Sequence, residues 1–111
     1  MDSIEASQLI TDEYSARILI ATFKRKLSAQ ELSLRCGIPI AACYRKIKSL
    51  MDFGLLEETD RVLTRQGKRK SRYTSTLKSA LIFYEGGRLK VRFELNTGAI
   101  KEFGHEALED L

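Results

Sequence analysis

Arg65, Lys68, Arg69, Lys70 and Arg72 place five cationic side chains within eight residues. Guanidinium and ammonium groups at that density suit charge-assisted hydrogen bonding to anionic oxygens, phosphates above all. Gln66 and Gly67 interrupt the run, and Gly67 can take the positive φ that a hairpin tip requires. The cluster lies in a wider basic segment. Residues 61–93 carry ten basic groups against the single acid Glu85, residues 1–60 carry eight basic and nine acidic groups, and residues 94–111 carry one basic and five acidic groups. A net charge of +4 over 111 residues says little by itself, but its concentration in one third of the chain is the pattern of a polyanion footprint. An edge hairpin made basic to prevent aggregation accounts for one or two of these residues rather than five.

A second set of donors falls at helical spacing. At 100° per residue, Cys43, Ile47, Leu50 and Met51 gather on one face of a helix over Pro39–Phe53. Ala41, Arg45 and Lys48 lie opposite them, with Ala42 and Tyr44 on the flanks. Small residues at the leading end let a backbone approach base edges in a major groove, and long donors behind them reach bases and phosphates. Arg45 suits a guanine, whose O6 and N7 accept both arms of a guanidinium. The same residues also make an ordinary solvated basic face, and that alternative stays open at this point.

Other chemistries find no matching pattern. The sequence holds no Gly-rich phosphate loop, nucleophile elbow or His/Asp/Glu cluster, so an enzyme is not expected and no cofactor is implied. Cys36 and Cys43 occupy positions where a core apolar residue is expected, and free cysteine behaves as a small hydrophobe. Zinc takes four N or S ligands at recognisable spacing, whereas His105 is the single histidine and lies in the acidic tail; no metal site is expected. Gly86–Gly87 reads as a turn, and Phe83, Tyr84 and Phe93 read as packing residues rather than a base-stacking platform.

The elements that position these donors are written in local signals. Ser28 and Glu31 form a capping box at the start of a helix over about Ala29–Cys36. Gly37 turns, Ile38 plugs the corner, and Pro39 opens the next helix, which Gly54 stops. This is the sequence form of a helix-turn-helix, and it points to DNA. An earlier helix is expected over about Asp12–Lys24, capped by Thr11, with Ala16, Leu19, Ile20 and Phe23 as its apolar face. Leu55–Thr64 and Arg69–Thr76 read as the two strands of a wing. Ala80–Tyr84 and Leu89–Leu95 read as a second hairpin, with Leu89, Val91, Phe93 and Leu95 on one face.

The fold class expected is α+β: a single winged helix domain over 1–111, made of a three-helix bundle (12–53), a wing (54–77), a second C-terminal β-hairpin (78–95) and an acidic tail (96–111). A short helix is expected around Ile100–Leu108. An apolar content of 43% is enough for one core. No apolar run reaches membrane-spanning length, and the acidic start Met1–Glu5 differs from a secretory signal. Two cysteines without such a signal suit a reducing cytoplasm, and a DNA partner would place the chain at the nucleoid.

Leu32–Leu56, with Gly37, Cys43, Arg45, Ile47, Leu50 and Gly54 in register, resembles the winged helix-turn-helix of ArsR-type regulators. The basic wing and following hairpin are similar to the small archaeal members of that superfamily, and the resemblance covers about residues 12–95. It implies a dimeric transcription regulator with Ala41, Ala42, Tyr44, Arg45 and Lys48 at the major groove, and Arg65, Lys68, Arg69, Lys70 and Arg72 on the flanking backbone. Two features depart from the family. The metal-sensing branch carries paired cysteines on its recognition helix, where Cys43 here stands alone. A hairpin also replaces the usual long dimerisation helix, which leaves the first helix, the second hairpin and the tail as surfaces for a homodimer. Any small-molecule effector would use that dimer interface. The expected function is sequence-specific double-stranded DNA binding in transcription regulation, with no membrane partner. A non-specific architectural DNA binder and a winged-helix protein-interaction module remain alternatives.

Overall fold

The computed structural model describes residues 2–104, a mixed α+β fold of four helices and two small antiparallel sheets. Helix α1 (Ser3–Thr11) starts at Asp2, whose carboxylate accepts the Glu5 amide at 2.9 Å. Asp12 ends α1 and caps α2 (Glu13–Ala21), accepting the Ser15 amide at 3.0 Å. One unexpected helix therefore precedes the three expected over 12–53, and the cap of α2 is Asp12 rather than Thr11. Helix α2 stops at Ala21, short of Lys24, whose left-handed φ of 61° is incompatible with a continuing helix. The apolar face moves with that boundary. Ile18 is fully buried, whereas Ile20 is 75% exposed and Phe23 lies outside the helix on the surface.

Strand β1 (Leu27–Ser28) leads into α3 (Ala29–Cys36) through the capping box. Ser28 Oγ accepts the Glu31 amide at 3.2 Å and Glu31 Oε1 accepts the Ser28 amide at 3.1 Å. Gly37 sits at φ 65°, ψ 40°, a left-handed conformation that a side chain would strain. The buried Ile38 plugs the corner, its amide bonded to the Ser33 carbonyl at 3.1 Å. Helix α4 (Ile40–Asp52) follows Pro39 and buries Ala42, Cys43, Ile47 and Leu50. Met51, expected on that face, is partly exposed.

The first sheet has the order β1-β3-β2, where β2 (Leu56–Leu63) and β3 (Arg69–Ser75) form a hairpin with a bulge at Thr59. The second sheet has the order β4-β5-β6: β4 (Leu77–Glu85), β5 (Arg88–Leu95) and β6 (Ile100–Gly104). The second hairpin is thus extended by a third strand. The helix expected around Ile100–Leu108 is replaced over Ile100–Gly104 by that strand, because Val91–Phe103 and Phe93–Lys101 register pairs continue the ladder of β5. The rest of the expected helix lies outside the described residues. Val91 and Phe93 are fully buried where α1 covers β5 and β6. The Phe103 ring stands 5.4 Å from Phe93 and 5.6 Å from Phe53, centroid to centroid, linking the second sheet to the end of α4.

Hydrogen bonds tie the sheets to the helices and to each other. Ser75 N–H donates to the Thr22 carbonyl (3.1 Å), and Thr76 gives its N–H to Leu55 O (3.0 Å) and its hydroxyl to Gly54 O (2.6 Å). Asn96 donates to Thr76 O through its backbone (2.8 Å) and to Ser75 O through its amide side chain (3.2 Å). Lys101 Nζ donates to the Phe53 carbonyl at 3.5 Å.

The caps generate two predictions. Ser28→Ala removes an acceptor for a helix-terminal amide and should cost about 1–2 kcal/mol in chemical denaturation. Burial pushes the Asp12 carboxyl up, but the Ser15 amide and Lys46 outweigh it and hold it below its ordinary 3.8. The Ser28 amide, assisted by Lys70 and Arg35 against some burial, holds Glu31 below 4.5. Carboxyls lowered in the folded state stabilise above their unfolded values and lose that contribution as pH falls through the folded ones. The melting temperature should therefore drop as pH is taken below about 4, and Asp12→Asn should flatten part of that drop. A melting series against pH on both proteins checks this.

Candidate nucleic-acid interface

The β2–β3 hairpin separates its cations into two groups. Arg72 stands directly across from Asp60 in the ladder and grips it with both arms, Nε to Oδ1 at 2.8 Å and a terminal nitrogen to Oδ2 at 2.5 Å. Thr59, at the bulge, donates its hydroxyl to the Arg72 carbonyl at 3.3 Å. The Arg72 guanidinium holds the Asp60 carboxyl below the ordinary carboxylate range, and Lys26 adds to this from the loop before β1. Lys70 lies 3.9 Å from Glu31 of the capping box. Arg72 and Lys70, expected as free contacts, thus have carboxylate partners within their own fold.

The tip is different. Thr64 N–H donates to Lys68 O at 2.7 Å, Gly67 N–H to Thr64 O at 3.0 Å, and Gly67 takes φ 75°. This closed loop lifts Arg65, Lys68 and Arg69 into solvent. Among the described residues, no carboxylate pairs with any of these three. Charge left uncompensated at a protruding end is charge available to a polyanion.

Helix α4 shows the same sorting. Arg45 and Lys48 are exposed and have no ion-pair partner among the described residues, and Ala41 is exposed beside them. Lys46 is taken by Asp12 at 3.3 Å. Ala42, expected on the contact flank, is only 7% exposed: it faces the core with Cys43 and acts in packing. The Tyr44 hydroxyl accepts a hydrogen bond from Gln30 Nε2 at 3.1 Å.

That contact joins the two groups of donors. Gln30 and Tyr44 line one concavity together with Arg69, Lys70 and Tyr73 of β3, and Gln30 continues into a second with Thr64, Gln66, Lys68 and Arg69. The α3 N-terminus therefore bridges the exposed face of α4 and the hairpin tip. Gln30 escapes a sequence reading built on charge; its signal was a polar residue in the first turn after a cap, on the helix that precedes the turn. Lys24, Arg25 and Lys26, three consecutive exposed cations leading into β1, were likewise passed over, Lys24 as the end of the expected first helix and the other two as its link to the next.

Burial pushes both cysteine thiols above their ordinary 9.0, with Arg17 and Arg35 opposing this at Cys36. Cys43 Sγ packs 3.6 Å from the Ala29 carbonyl at the α3–α4 contact. No three His, Cys, Asp or Glu side chains among the described residues gather as metal ligands, and no described helix is long and apolar enough to cross a membrane.

No family model matches the chain, and no curated protein matches it. Among solved structures the chain is similar to one titled "Crystal structure of the ROK family transcriptional regulator, homolog of E.coli MLC protein", at 17% identity and a TM-score of 0.45. That likeness covers 96% of this chain and spans 27% of the other. It identifies neither a family nor a ligand.

The sorting of charges is open to a direct test. On a polyanion column, Arg69→Ala should elute at lower salt than the native chain. The double variant Asp60→Ala/Arg72→Ala removes a neutral pair and should elute close to native. Elution of the double variant as early as Arg69→Ala would show that Arg72 is a contact rather than a strut.

Proposed function

We propose that this chain is a sequence-specific double-stranded DNA-binding transcription regulator of ArsR-like winged helix-turn-helix type, acting in the cytoplasm on the nucleoid as a homodimer. The observation that carries this reading is that Lys68 and Arg69 of the hairpin tip line concavities that share Gln30, one of which reaches Tyr44 on the helix that presents Arg45 and Lys48. In this arrangement α4 enters the major groove, Arg45 reads a guanine edge, and the β2–β3 wing follows the backbone with Arg65, Lys68 and Arg69. Tyr44 and Gln30 form the hinge between base readout and backbone contact. The role is binding rather than catalysis: the site offers fixed donors and no paired acid and base.

With Lys48 and the three tip cations as about four phosphate-neutralising groups, log affinity should fall with log salt at a slope of roughly −3.6. Two copies would read half-sites about one helical turn, roughly 34 Å, apart. Selection from a random DNA library is the decisive experiment. An enriched motif whose preference Arg45→Ala relaxes at particular positions, while Lys68→Ala or Arg69→Ala weakens all sequences alike, is the expected result. Salt-sensitive binding with no enriched motif would instead assign the architectural role. The exposed face of α4 offers only Tyr44, Arg45 and Lys48 as long side chains for reading bases, so this outcome is the specific rival.

A further inference from the structure

The second sheet ends in an edge unlike the first. Among the described residues, strand β4 pairs with β5 on one side and with no strand on the other, so the outward N–H and C=O groups along Leu77–Glu85 have no ladder partner there. Natural edges of this kind are protected by charge, proline or a covering loop. Here the stretch Ser79–Tyr84 contains no charge, no proline and no glycine. It exposes Leu81 at 55%, Ile82 at 41% and Tyr84 at 79%. A shallow apolar groove formed by Leu19, Ile20, Phe23 and Leu77 opens beside Ala80, near the start of the same strand.

We propose that β4 is the homodimer interface of this chain, pairing antiparallel with β4 of a second copy about a two-fold axis at Ile82 to join two three-stranded sheets into one. The occupant is argued from the strand's fit to itself. A two-fold normal to a continuous sheet returns each residue to its own face, so opposed residues must have numbers of equal parity. Centring on Ile82 satisfies this and sets uncharged residues opposite one another from Ala80 to Tyr84. Ala80 opposes the partner's Tyr84, Leu81 opposes the partner's Phe83, and Ile82 meets itself. The exposed Tyr84 ring then lies beside the groove that flanks Ala80 in the other copy.

Charge agrees with the antiparallel sense. Lys78 lies at one end of β4 and Glu85 at the other, so reversal brings unlike ends together, whereas a parallel pairing would bring like ends together. Each is already half of an ion pair, Lys78 with Glu94 at 3.6 Å and Glu85 with Lys90 at 2.8 Å, so the ends of the interface become small networks. This inference deepens the two-copy part of the proposed function, and its test is run without DNA.

Sedimentation of the full chain in the micromolar range should give twice the chain mass. Ile82→Lys and Tyr84→Lys should give the mass of one chain with unchanged circular dichroism and melting. Ile82→Cys, which opposes itself in the pairing, should form a disulfide-linked dimer on mild oxidation much faster than the native chain or Leu34→Cys, whose position is exposed on α3. A monomeric native chain overturns the proposal. So does an Ile82→Lys variant that remains dimeric, or an Ile82→Cys variant that cross-links no faster than Leu34→Cys. The last two results would leave DNA binding and dimerisation intact and move the interface elsewhere.

Discussion

The peptide groups of Ser75 and Thr76 are the constraint on which the molecule's shape depends. Within two residues the chain leaves one sheet, bonds the C-terminal carbonyl of α2, bonds both carbonyls of the Gly54–Leu55 exit from α4, and receives Asn96 from the second sheet. Backbone groups buried without partners cost free energy comparable to a lost hydrogen bond. The junction therefore has a single well-satisfied arrangement, and that arrangement sets the angle between the β2–β3 hairpin and α4. The reach of the hairpin tip follows from it together with the β1–β3 pairing and the Lys70–Glu31 contact, which hold β3 against the start of α3.

A second principle runs through the charges. Three carboxylates engage cations at the hairpin and the helix starts: Asp60 with Arg72, Glu31 with Lys70, Asp12 with Lys46. Exposed pairs of this sort add little stability on their own. Their effect here is to decide which cations are struts and which are free. The basic third of the chain is consequently less positive at its root than at its tip, and the tip residue Arg69 lines a concavity with Tyr44 of α4.

The turn between α3 and α4 was legible because its determinants are local. Ser28 and Glu31 are three residues apart, Gly37 needs only its own φ, and Pro39 only the absence of an N–H. The alternation of Leu89, Val91, Phe93 and Leu95 was readable for the same reason. Helix α1 was missed because nine residues with three buried side chains make a weak period, although Asp2 marks its start. The face of α2 was misread by extending its period past Ala21, which promoted Phe23 and Ile20 over Ile18. Strand β6 depends on register with β5, and no local signal in Ile100–Gly104 announces it. The candidate site was legible as composition and illegible as pairing: whether Arg72 is free depends on Asp60, twelve residues away, and on a bulge at Thr59 that puts the two opposite each other.

Lys101 is a small feature with a wide reach. It belongs to the far edge of the second sheet, yet its ammonium rests on the Phe53 carbonyl at the end of α4, so near Gly54 that a Cβ there would lie 2.6 Å from Nζ. Helix C-termini carry a partial negative charge, and a cation placed there offsets it. The N-terminal end of α4 has no side-chain cap and no acidic residue in its first turn, and it lies beside Ala41, where the proposed readout begins. A single lysine thus biases the helix electrically while tethering it mechanically, so a tilt of the second sheet would be felt by α4 as both a pull and a change in polarity.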